Sequence, residues 1–154
     1  MTHHRTAPQV RRVRHGLAGL AFALLTACGN DPAGPLSPIE AARGQWVVVN
    51  YWAEWCKPCI KEVPELNALG EREGITVLGV NYDGAQGEAL SAQVEALGIA
   101  FPTLDLDPAA ALGVKRPTVL PTTLIIDPEG TLRATLVGPQ TEDSLLAATR
   151  GSAG

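Results

Sequence analysis

Trp46-Val47-Val48-Val49-Asn50-Tyr51-Trp52-Ala53-Glu54-Trp55-Cys56-Lys57-Pro58-Cys59 is the stretch that decides the fold of this chain. Its first seven residues are a near-continuous apolar run, as expected for a strand covered on both faces. Pro58 then suits the first turn of a helix, and Ile60, Val63, Leu66 and Leu69 recur at spacing three to give an inward stripe. Two thiols three residues apart therefore fall where a buried strand hands over to a helix. At that point unpaired backbone N–H groups and the positive end of the helix dipole stabilise a thiolate on the first cysteine. The thiolate is the form that attacks disulfides, and Cys59, one turn further in, can close back onto Cys56. The chemistry indicated is thiol–disulfide exchange.

Working outward, the helix is expected over 57–73, bent at Pro64, which removes one backbone bond, and ended by Gly74. Residues 76–82 read as a second strand and 87–97 as a second helix with Leu90, Val94 and Leu97 on one side. Residues 101–106 read as extended and 108–112 as a short helix. Then come a strand over 122–126, a turn at Asp127-Pro128-Glu129-Gly130, an antiparallel partner over 131–137 and a helix over 141–149. The order is βαβα followed by a hairpin and a helix, without internal repeats. That is an α/β fold: a central mixed sheet with an antiparallel edge, flanked by helices as a three-layer sandwich.

Upstream, the chain begins with Arg5, Arg11, Arg12 and Arg14 and has no acidic residue before Asp31. Residues 16–27 are weakly polar to apolar. As a helix they span about 18 Å, too short for a hydrocarbon core of about 30 Å. A secretory signal fits better than a membrane span. The neighbours of Arg11-Arg12 do not support twin-arginine export. Leu25-Thr26-Ala27-Cys28 resembles a bacterial lipobox, in which the signal is cut before a cysteine that carries diacylglycerol; ordinary cleavage would leave Cys28 a free thiol. The cysteine count favours the lipid, since three cysteines leave one over if Cys56 and Cys59 pair. The expected organisation is a removed signal peptide over 1–27, a Gly- and Pro-rich tether over 28–38, and one folded domain over 39–154.

Cleavage before Cys28 would leave 127 residues, enough for one domain with a core. All 16 acidic residues but only eight basic ones would remain, a formal charge of −8. So acidic a surface argues against nucleic acid or anionic lipid as a partner. His3, His4 and His15 all lie in the removed segment, which excludes His-based metal sites and Cys–His or Ser–His catalysis. A lone CxxC is half a zinc site, a redox pair, a structural pair or chance. Zinc needs four ligands, and this chain offers no second CxxC. The strand before and the helix after are the context of a redox motif.

Here the chain resembles the thioredoxin superfamily, and within it the membrane-tethered TlpA/ResA-type thiol–disulfide oxidoreductases of the bacterial envelope. The carrying residues are those of 47–59, then Glu62-Val63-Pro64, and Leu120-Pro121-Thr122-Thr123-Leu124-Ile125-Ile126-Asp127. The likeness runs over about 36–148. It implies Cys56 as the nucleophile that forms the mixed disulfide, a more buried Cys59 as the resolving thiol, and Pro121 as the family's cis-proline facing the dithiol. The backbone at Leu120 would pair with the substrate chain in β fashion; without the CxxC, Pro121 would read as a strand-start proline. Asn50 stands where thioredoxins carry a buried Asp and cannot titrate. Glu62 matches an acidic residue of ResA-like proteins and shares a helix face with Cys59, so it either tunes thiol ionisation or is an exposed helix glutamate. Trp55 reads as a contact surface beside the thiol, Lys57 as a modest, screened help to the thiolate, and Glu54 as solvated. The chain departs from the family in a shortened N-terminal segment before Trp46 and in Lys115–Val119, about three residues longer than usual.

The resemblance implies a lipid-anchored, exported monomer whose domain faces the periplasm or the cell exterior. It would need no cofactor or metal, would be recharged by a thiol-type electron donor of the membrane, and would reduce envelope proteins such as apocytochrome c. A disulfide oxidase or isomerase is the nearest alternative, since direction depends on redox potential. A copper metallochaperone is disfavoured by CxxC spacing in place of CxxxC, and a peroxidase by the lack of a Thr/Arg setting near Cys56.

Overall fold

The computed structural model describes Met1 and residues 34–150; the expected signal, Cys28 and tether residues 28–33 lie outside the described residues. In chain order the elements are α1 (Ser37–Ala41), β1 (Trp46–Trp52), α2 (Lys57–Gly70), β2 (Ile75–Asn81), α3 (Gly87–Leu97), β3 (Thr103–Leu104), β4 (Thr122–Ile126), β5 (Leu132–Val137) and α4 (Glu142–Arg150). Of the expected tether, residues 34–36 lead into α1, while Ser37 and Pro38 already form its first turn.

The five strands form one sheet in the order β3-β2-β1-β4-β5, with β2 parallel to β1 and to β3, and β4 antiparallel to β1 and to β5. A strand at the centre has both faces covered, which is why the apolar run of β1 shows no alternation. Val48, Asn50 and Trp52 point to one face and Val47, Val49 and Tyr51 to the other, and all six are at most 1% exposed.

The two faces are covered unequally. Val48 and Trp52 meet Val63, Leu66 and Leu69 of α2 and Leu145 of α4, with Leu90, Val94 and Leu97 of α3 packed against the same cluster. The opposite face is covered by Ile39 and Ala42 at α1 and by Leu112 and Val114 of an irregular segment. That cover stops short of β5, where Arg133, Thr135 and Val137 remain exposed.

Three expectations are corrected. The stretch 108–112 is a turn, not a helix: one helical bond, Leu112 N–H to Pro108 O at 2.9 Å, is followed by Val114 N–H to Ala109 O, around Gly113 at φ +72°. One bond does not repay helix nucleation. Helix α2 stops at Gly70 rather than 73, because Glu71 and Arg72 turn back to Ala68 and Leu69 in a tightened last turn. Ile60 is exposed, and the inward stripe runs through Cys59, Glu62, Val63, Leu66 and Leu69. A spacing of three drifts from the 3.6-residue period, so Ile60 falls off the buried face.

Candidate active site

The chain leaves β1 at its C-terminal end through Ala53, fully buried, and an exposed Glu54-Trp55 turn, closed by Cys56 N–H donating to Ala53 O at 3.1 Å. Cys56 is the N-cap of α2, with extended backbone, and its Sγ accepts the Cys59 N–H at 3.2 Å. Pro58 has no N–H, so in the first turn the donor that reaches the sulfur is that of Cys59. A thiolate at Cys56 is therefore met by an amide and by the helix dipole together. Cys56 and Cys59 are joined in a disulfide with Cα atoms 5.3 Å apart. Both are buried, whereas Trp55 stands 63% exposed beside them.

Glu62 is 2% exposed, which removes the reading of it as a solvated helix glutamate. Its Oε1 accepts from Asn50 Nδ2 at 2.6 Å and its Oε2 from the Gln140 backbone N–H at 2.8 Å. Asn50 Nδ2 also donates to Thr123 Oγ1 at 3.0 Å, across the β1–β4 register that sets Asn50 opposite Thr123. Burial pushes the Glu62 carboxyl above its usual range, and the donations from Gln140 and Asn50 pull it only part of the way back. The position that cannot titrate, Asn50, thus holds a carboxylate sent from the helix. Glu62 and Cys59 both belong to the buried stripe of α2.

The Leu120–Pro121 peptide bond is cis. Thr122 pairs with Tyr51, which brings Pro121 level with the end of β1 from which the Cys56 turn departs. Leu120 is half-buried and packs against both core clusters, one of which contains Cys56 and Cys59. Beside the dithiol turn, Trp55 Nε1 donates to Asp83 Oδ2 at 2.9 Å. Among the described residues, no group of three or more His, Cys, Asp or Glu side chains stands together as metal ligands would.

Sequence reasoning missed Gln140 and Asp83. Gln140 acts through its backbone, 78 positions from Glu62, and leaves no signal in the sequence. Asp83 was within reach: it follows β2, and the carboxyl ends of parallel strands share the edge where β1 delivers Cys56.

A family model described as the AhpC/TSA family matches residues 25–135. The chain belongs to the AhpC/TSA family. The thiol:disulfide interchange protein HelX of Rhodobacter capsulatus is 32% identical over 117 residues, 73% of this chain and 65% of that protein. The thiol-disulfide oxidoreductase ResA of Geobacillus kaustophilus is 31% identical over 106 residues, 67% of this chain and 60% of its own. The chain thus spans less than two thirds of the length of these two relatives. The crystal structure of a DsbF homologue from Corynebacterium diphtheriae is similar with a TM-score of 0.60 at 28% identity, covering 71% of this chain and 73% of that one. These relatives fit the thioredoxin-like, ResA-type α/β fold that the sequence resembles.

Proposed function

We propose that this protein is a cell-envelope thiol–disulfide oxidoreductase, exported and lipid-anchored through Cys28, that reduces disulfides of envelope proteins, apocytochrome c among them. The observation that carries the exchange chemistry is the Cys56–Cys59 disulfide at the N-cap of α2, with the buried Glu62 one turn further along the helix. The relatives named for thiol–disulfide exchange support the same reading.

In the reduced enzyme the Cys56 thiolate attacks one sulfur of the substrate disulfide. That bond breaks, the other substrate sulfur leaves as a thiolate and takes a proton, and a mixed disulfide joins Cys56 to the substrate. Cys59 then loses its proton to Glu62, whose proton affinity is raised by burial. The Cys59 thiolate attacks Cys56 Sγ and releases the second substrate sulfur. Two electrons pass from the dithiol to the substrate, and a thiol-type donor of the membrane returns them. The oxidase reading runs the same steps in reverse, and the isomerase reading begins with the same attack but returns the disulfide to the substrate with no net electron transfer. A Cys56–Cys59 potential near thioredoxin's, about −270 mV, supports reduction, and one near about −120 mV reverses the assignment.

Cys59→Ser tests the mechanism by removing the resolving thiol. Expressed in its native envelope, this variant accumulates mixed disulfides on Cys56 that are lost on adding a thiol and identified by mass. If no adduct forms on Cys56, the exchange assignment fails.

A further inference from the structure

The segment that approaches Pro121 is tied down by side chains that the exchange chemistry does not use. Arg116 donates from Nε to Asp107 Oδ2 at 2.8 Å, donates from its Nη2 to the Tyr82 carbonyl, and lies over the Tyr82 ring at 4.0 Å from the centroid. Asp107 is itself fixed: its Oδ1 accepts from Tyr51 Oη at 2.7 Å and from Ala109 N–H at 2.9 Å. Burial pushes the Asp107 carboxyl up, but the donations from Tyr51, Ala109 and Arg116 outweigh it and hold the group below its usual range, charged. A guanidinium that stacks on a ring while bonding a carboxylate and a carbonyl fixes orientation as well as distance.

What Arg116 joins is set by the topology. Tyr82 precedes Asp83, the acceptor of the Trp55 indole N–H, so one face of the entrance to Cys56 hangs from the Tyr82–Asp83 corner. The other face is the run Pro117–Leu120. Behind that run, where the helical cover ends, a mainly apolar groove of about 290 Å³ opens between Val119 and the β4–β5 surface at Thr122, Leu124 and Val137. Val119 and Val137 are more than half exposed there. Leu120, next in the chain after Val119, packs against both core clusters, one of which contains the disulfide.

We propose that Arg116 is a positioning residue for polypeptide substrates: by bridging Asp107 and Tyr82 it holds the Pro117–Leu120 run at a fixed distance from the Trp55 face, and so sets the opening through which a disulfide-bearing chain with apolar flanking residues reaches Cys56. This rests on the exchange activity proposed above. A small disulfide reaches Cys56 without spanning that opening, whereas a polypeptide must lie along it. The clamp therefore acts on selectivity, not on the sulfur chemistry.

The test uses the full chain, with dithiothreitol as reductant, and compares disulfide-bonded insulin with glutathione disulfide. The quantity read is the ratio of kcat/KM for the two. Arg116→Ala lowers that ratio about tenfold, mainly through KM for insulin, with the Cys56–Cys59 potential unmoved. Arg116→Lys keeps the charge but cannot stack and bond both acceptors at once, so it recovers only part of the ratio. An unchanged ratio in Arg116→Ala, an equal loss on both substrates, or full recovery with Lys overturns the proposal. Failure of the parent protein on both substrates overturns instead the exchange activity on which it stands.

Discussion

Glu62 has two hydrogen-bond donors in contact with its carboxyl, the Asn50 amide and the Gln140 backbone N–H, and both are neutral. Neutral donors repay part of the cost of burying an anion but not all of it, so its proton affinity rises. Because the folded-state value lies above the unfolded one, Glu62 adds a stabilising contribution that is complete below the ordinary glutamate value of about 4.3. That contribution is lost as pH rises through the raised value. Urea unfolding of the oxidised protein at a series of pH values should therefore show the parent losing stability relative to Glu62→Gln across this window; parallel curves would mean that Glu62 does not titrate there. The same substitution removes the base from the resolving step. It should slow release of the mixed disulfide by about 10²-fold without slowing attack by Cys56, as measured by rapid quenching. Unchanged thiol ionisation and exchange rates in this variant would exclude Glu62 from the chemistry.

At the scale of elements, the legible parts of the fold were those written in local pattern. The run Trp46–Trp52, apolar but for Asn50, marked β1 as a strand covered on both faces, and it lies at the sheet centre. Glu62 was legible as a candidate because it stands three residues beyond Cys59, while its burial depended on α2 rotating Cys59 rather than Ile60 inward. The Asp107–Arg116–Tyr82 clamp was not legible: its partners lie 9 and 34 residues from Arg116 and meet only because β2 and the segment after β3 end on the same edge. Gly79 is another residue whose meaning is tertiary. It pairs with Asn50 on β1 and Thr103 on β3, and a Cβ there would stand 2.7 Å from Trp52 Nε1 and 3.0 Å from Thr103 Oγ1. Gly79→Ala should destabilise the domain by about 1–3 kcal/mol through overpacking, read as a shift in the urea midpoint at constant m-value.

For the whole molecule, the function proposed above requires that an acidic domain with its reactive sulfurs at one end be delivered to oxidised partners at the membrane. A lipid on Cys28 followed by a short tether would do this; the eight residues between Cys28 and α1 would reach about 28 Å if fully extended. Cys28→Ala should abolish incorporation of labelled fatty acid and move the protein from the membrane to the soluble fraction, with exchange on glutathione disulfide retained. Retention of the label would place the lipid elsewhere. The disulfide itself carries a consequence for turnover. Cys56 and Cys59 are only three residues apart in sequence, so the cross-link closes one of the smallest loops a chain can form. Loop-closure entropy assigns such a link roughly 2 kcal/mol of constraint on the unfolded chain, against about 4.7 for a loop of 100 residues. Opening it each cycle therefore costs only a minor share of the 5–15 kcal/mol typical of a domain's stability, about what a catalyst that alternates between dithiol and disulfide requires to stay folded in both states.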